Sequence, residues 1–187
     1  MWELPIYHLA DALDTLVHYD QVDLTIQQNE TSEISEPPLS EIEQISFKHK
    51  PYAHQVEAIN YGLAHGKWLN LSGMGLGKTF EAIGLAETLY HRGLIDHCLV
   101  ICGVDSLRQN WKAEIKQFSD LPVRVLGEHI TKNNTVRYET LAQRAEELKN
   151  KIDEFFVVVN ITNIRDDKFV EAFKKSVNKF GLIVFDE

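Results

Sequence analysis

Two runs, EFFVVVNI at 154–161 and FGLIVFDE at 180–187, are apolar at nearly every position until their ends. A strand in a half-exposed sheet alternates apolar and polar residues, so runs without alternation predict strands buried on both faces. Three more runs, at 67–72, 97–103 and 122–126, also read as strands, beside those at 155–161 and 181–186. Helical windows fall between them at 78–91, 106–119, 138–153 and 167–178, the third with Leu141, Ala145, Leu148 and Ile152 at helical spacing. The predicted fold class is therefore α/β, a mainly parallel sheet flanked by helices. Such sheets bind ligands beyond the carboxyl ends of their strands.

The loop after the first predicted strand, in NLSGMGLGKTFEA at 70–82, is the first candidate site. A backbone cradle for phosphate needs N–H groups turned inward, and glycine where a Cβ would block the turn or the approach. Gly73, Gly75 and Gly77 supply that freedom, although the slot five residues before Gly77, where a strict phosphate loop begins with glycine, holds Ser72. A helix starting near Lys78 aims its N-terminal amides at the same anion. Lys78 supplies charge for the outer phosphates, and Thr79 is placed to ligate Mg²⁺. A glycine turn that binds nothing leaves the Lys-Thr pair unexplained. A dinucleotide fold wants G-x-G-x-x-G and an acid ending the second strand, where this chain has Ile101-Cys102-Gly103.

The second candidate is the carboxylate pair Asp186-Glu187 at the end of the last strand. Alone, a polar strand end is the better reading of it. With a phosphate loop about 110 residues earlier, Asp186 fits a Mg²⁺ ligand and Glu187 a catalytic residue that orients or deprotonates the attacking water.

Five segments in order now resemble a known family, the Swi/Snf-type DNA-dependent ATPases of helicase superfamily 2, in the form carried by bacteria and phages. PYAHQVEAINYGL is similar to the segment in which a glutamine reads adenine, here Gln55. MGLGKT, with Met74, Gly75, Leu76, Gly77, Lys78 and Thr79, resembles motif I, and LVICGVDSLRQNW resembles motif Ia. VVVNITNIR matches a strand and DNA-facing turn, and IVFDE the start of the D-E-x-H box. The resemblance implies a RecA-like lobe that binds ATP and Mg²⁺ and meets double-stranded DNA through its backbone phosphates. Ser106 is the main candidate for that contact, with Arg108 and Asn110 behind it. The family usually reads Asp-Glu where this chain has Ser72-Gly73, which removes two charges beside the phosphates. The sequence stops at Glu187, so the expectation is the first lobe of a motor, without the second lobe and its arginine finger. A self-contained P-loop NTPase or kinase, and a catalytically silent nucleotide-binding interaction module, stay open as alternatives. Trp111 recurs with Leu107, Ile115 and Phe118 at helical spacing and is read as core rather than as a base-stacking platform.

Charge divides the chain. The formal net charge is −9, yet residues 1–47 hold ten acidic side chains and no lysine or arginine, which leaves +1 for the remainder. A nearly neutral body neither demands nor excludes nucleic acid. Residues 1–46 are read as an acidic extension, a helix near 6–19 followed by a polar linker, able to dock a protein partner. Residues 47–187 are read as the ATP-binding domain. Cys98 and Cys102, about 13 Å apart on one strand at about 3.3 Å per residue, cannot pair with each other and are expected as buried free thiols. No apolar run approaches a membrane span, and the acidic start is unlike a signal peptide. A cytoplasmic location is the expectation.

Overall fold

The computed structural model describes residues 47–186, apart from 104 and 134. The expected helix at 6–19, the rest of the acidic extension and Glu187 lie outside the described residues. In chain order the elements are helix α1 (Ala53–His65), helix α2 (Lys78–His91), strand β1 (His97–Cys102) and helix α3 (Asp105–Phe118). Strands β2 (Val123–Val125), β3 (Glu128–Ile130) and β4 (Val136–Tyr138) follow, then helix α4 (Leu141–Glu147) and strand β5 (Phe156–Asn160). The one-turn helix α5 (Ile161–Ile164), helix α6 (Asp167–Lys174) and strand β6 (Phe180–Asp186) complete the order.

Strands β2, β5, β1 and β6 form one sheet in that order, with every neighbouring pair parallel. Parallel neighbours need long crossovers, and the helices between the strands supply them. The register sets Asn160, Cys102 and Asp186 side by side, so three strands end in one row at the carboxyl edge. On one face Cys98, Val100, Cys102, Phe156 and Val158 pack with Ile83 and Ala86 of α2 and Trp111 and Ile115 of α3. The alternate residues Leu99, Ile101, Val157 and Val159 are equally buried. Both faces of β1 and β5 are covered, which is why these two strands carry no polar alternation; β6, at the edge, is only partly buried despite its apolar run, with Phe185 43% exposed. Cys98 and Cys102 are buried thiols, and burial pushes the Cys98 thiol up. Among the described residues no helix is long and apolar enough to cross a membrane.

Two expectations are corrected. The segment 67–72 is not a strand: Leu69 and Leu71 are 78% and 82% exposed. Asn70 Oδ1 accepts from both the backbone N–H (3.0 Å) and the hydroxyl (2.6 Å) of Ser72, while its amide donates to Glu81. A side chain that satisfies the backbone two residues on offers it an alternative to a sheet ladder. The helix expected over 138–153 is confined to Leu141–Glu147. Val136–Tyr138 is spent on an antiparallel hairpin with Glu128–Ile130, and Thr140 caps the helix by accepting from Gln143 N–H. At the other end Asn178 donates to the carbonyls of Leu148 and Asn150 and accepts from Ile152 N–H. That latch fixes 148–152 in a turn while keeping Leu148 and Ile152 buried.

One buried carboxylate predicts a pH effect. Glu87 of α2 accepts from Ser119 Oγ at 2.6 Å, and burial raises its pKa above the ordinary carboxylate value, more than Ser119 and the nearby His91 lower it. A folded-state pKa above the unfolded one means stability falls as pH rises from the unfolded value through the folded one, and the loss persists above it. Glu87→Gln keeps an acceptor for Ser119 without the charge. It is expected to raise the melting temperature at pH 7–8, and the gain should shrink toward zero below about pH 4.5, the ordinary value. Melting curves across that range check both signs.

Candidate nucleotide-binding site

The glycine loop turns into α2 through two left-handed residues, Gly75 at φ 80° and Gly77 at φ 87°. Residues with a Cβ rarely hold that conformation. At Gly77 a Cβ would also collide with Gln55 Nε2. Gln55 lies buried against the loop: its Nε2 donates to Leu76 O at 3.3 Å, and its Oε1 accepts from Tyr52 N–H at 3.0 Å. One carboxamide thus caps the start of α1 and braces the loop. His54 Nε2 lies 3.1 Å from the same Leu76 carbonyl. Met74 projects into solvent and Leu76 is half exposed.

Lys78 opens α2, and its ammonium donates to the carbonyls of Ser72 at 2.8 Å and Gly73 at 3.3 Å. The cation is stored on the loop it would serve. These carbonyl contacts are weak competitors for a phosphate, because a charge-assisted bond to an anion is stronger than one to a neutral acceptor. The α2 N-terminus adds unpaired backbone amides and the positive end of the helix dipole.

Thr79 and Asp186, far apart in sequence, line one cavity of about 110 Å³ with Leu107, Asn110, Trp111 and Glu114. The strand register brings Asp186 to the carboxyl edge, and the loop delivers Thr79 there at the start of α2. A hydroxyl and a carboxylate are hard oxygen donors of the kind Mg²⁺ takes, and the cavity has room for several of the waters this ion retains. The donor set fits the ion. Trp111 Nε1 donates to Asp186 Oδ2 at 2.7 Å, a contact between residues 75 apart that sequence periodicity does not reveal.

The expected DNA-facing residues separate. Ser106 is exposed on the first turn of α3. Asn110 is exposed one turn later and lines the cavity itself. Arg108 requires a correction. It is 1% exposed, with its guanidinium 3.7 Å from the Tyr138 ring centroid. Stacking on an aromatic face inside the protein keeps it from a phosphate on the surface.

No curated protein matches the chain. Among solved structures, the SWI2/SNF2 ATPase core of Sulfolobus solfataricus in complex with dsDNA aligns at 17% identity and TM-score 0.47, covering 75% of this chain and 32% of that one. The chain therefore spans about a third of the length of that structure. Residues 48–187 match the family described as "Type III restriction enzyme, res subunit" (ResIII). The chain, a parallel sheet flanked by helices, therefore belongs to the ResIII family.

Proposed function

We propose that the chain is the ATP-binding lobe of a Swi/Snf-type, DNA-dependent motor that couples ATP hydrolysis to translocation on, or remodelling of, double-stranded DNA. The observation that carries the reading is the shared cavity of Thr79 and Asp186 beside the glycine loop. Two residues so distant in sequence meet where a phosphate-bound cation would sit. In this reading the amides around Gly75 and Gly77 hold the phosphates, with Gly73, Met74 and Leu76 completing the loop. Lys78 leaves the Ser72 and Gly73 carbonyls for the outer phosphate oxygens. Thr79 and Asp186 would hold Mg²⁺, which would supply positive charge to the phosphates during phosphoryl transfer. Gln55, already braced against the loop, is close enough to it to couple adenine recognition to loop conformation. Glu187 is assigned the attacking water.

Ser106 and Asn110 would meet DNA phosphates, contacts that position a duplex and read no sequence. A second lobe would close over the nucleotide. The acidic residues 1–46 would dock a protein partner, and the protein would work in the cytoplasm. Support for the DNA-directed part is the exposure of Ser106 and Asn110 on the helix that borders the nucleotide cavity.

Retention of labelled ATP and of labelled duplex DNA on filters tests the two halves separately. The reading expects saturable ATP retention that depends on Lys78, and salt-sensitive DNA retention indifferent to sequence. ATP retention without DNA retention at low salt would favour a self-contained NTPase or a silent nucleotide-binding module. Retention of neither would remove the assignment.

A further inference from the structure

A buried indole needs an acceptor for its N–H, because a donor left unpaired away from water costs free energy. Trp111 is 4% exposed and packs with Ile115 and Val100 between α3 and the sheet. Its ring plane and donor direction are therefore set by packing. A carbonyl would satisfy the indole as well as a carboxylate does. The acceptor is instead Asp186 Oδ2, on a residue that lines the cavity with Thr79. Asp186 stands at the end of β6, which pairs on one side only among the described residues. The sheet restrains that side chain little, and Oδ1 bonds to none of the described residues. The indole bond gives the carboxylate its fixed orientation.

We infer that Trp111 is a positioning residue for Mg²⁺: by occupying Oδ2 it holds Asp186 in one rotamer and reserves Oδ1 for the ion. The inference rests on the nucleotide-binding reading above and adds to it the residue that orders the metal carboxylate before the ion arrives. A helix-borne donor that pre-orients a ligand spares the ion that ordering cost, and loss of such an outer partner typically lowers metal affinity by about 10–100-fold.

The test uses the full 187-residue chain and a fluorescent ATP, mant-ATP, titrated in EDTA and across a range of MgCl₂. Trp111→Phe should bind mant-ATP in EDTA as the parent chain does. It should need on the order of tenfold more Mg²⁺ for half-maximal strengthening of binding. Asp186→Asn should show a loss of the same kind, and the double variant should be no worse than Asp186→Asn, since the two residues act through one contact. A folded Trp111→Phe with an unchanged Mg²⁺ midpoint overturns the inference. So does equal weakening with and without Mg²⁺, which is the mark of a packing role. If Trp111→Phe does not fold, β-(3-benzothienyl)alanine at position 111 keeps the bicyclic shape without the N–H and makes the same comparison. Absence of mant-ATP binding by the parent chain would instead remove the nucleotide reading itself, and this inference with it.

Discussion

Lys78→Ala is expected to abolish measurable ATP binding, a loss on the order of a hundredfold or more, or about 3 kcal/mol at 1.4 kcal/mol per decade. The lysine opens α2 and, among the described residues, is hydrogen-bonded only to carbonyls of its own loop, Ser72 and Gly73. Removing it therefore takes away the cation for the outer phosphates without leaving a buried partner charged and alone. The glycine conformations at 75 and 77 belong to the backbone and should survive, so the melting temperature should stay close to that of the parent. Equilibrium dialysis with labelled ATP checks the affinity. A folded variant with parental affinity would withdraw the phosphate-loop assignment, because no other part of the site explains a Lys-Thr pair at the start of that helix.

The second large effect concerns turnover. Phosphoryl transfer spreads charge over the γ-phosphoryl oxygens, and an arginine finger that neutralises it contributes about 10³–10⁵ in rate. The cavity is lined by Thr79, Leu107, Asn110, Trp111, Glu114 and Asp186, none of them cationic. Arg108, the arginine of the neighbouring helix, is turned inward onto Tyr138. The 187-residue chain is therefore expected to hydrolyse ATP very slowly, with or without duplex DNA, and to separate no strands. Phosphate release measured with both additions checks this. Robust DNA-stimulated turnover that disappears in Lys78→Ala would contradict the proposed dependence on a second lobe.

How much of this was legible in the sequence depended on whether a feature was local. The strands at 97–102 and 156–160 follow from apolar runs that no exposed strand would carry, whereas the equally apolar 180–186 forms an edge strand that is only partly buried, with Phe185 43% exposed; α2 begins at Lys78 because glycine ends the turn before it. The segment 67–72 misleads because WLNLS has strand composition while Asn70 diverts its backbone into a side-chain-bonded turn. Helix α1 lacks a clean apolar stripe: its buried residues are Gln55, Ile59 and Gly62, two of which no hydrophobic pattern would mark. Arg108 falls in a motif that faces solvent at Ser106 and Asn110 yet is itself buried, a reversal set by a tyrosine thirty residues away on the hairpin. Trp111 was legible as core. Its bond to Asp186 was not, since side-chain donors choose acceptors by three-dimensional register, here that of β1 with β6.

The pairing of Thr79 with Asp186 around one cation is the claim on which the rest depends. Calorimetric titration of ATP into the purified chain, once in EDTA and once in MgCl₂, tests it most directly. The account predicts one saturable site per chain, bound more tightly with Mg²⁺, and an Asp186→Asn variant that keeps the EDTA affinity but loses the Mg²⁺ enhancement. Binding that ignores Mg²⁺, or an enhancement that survives Asp186→Asn intact, would contradict it.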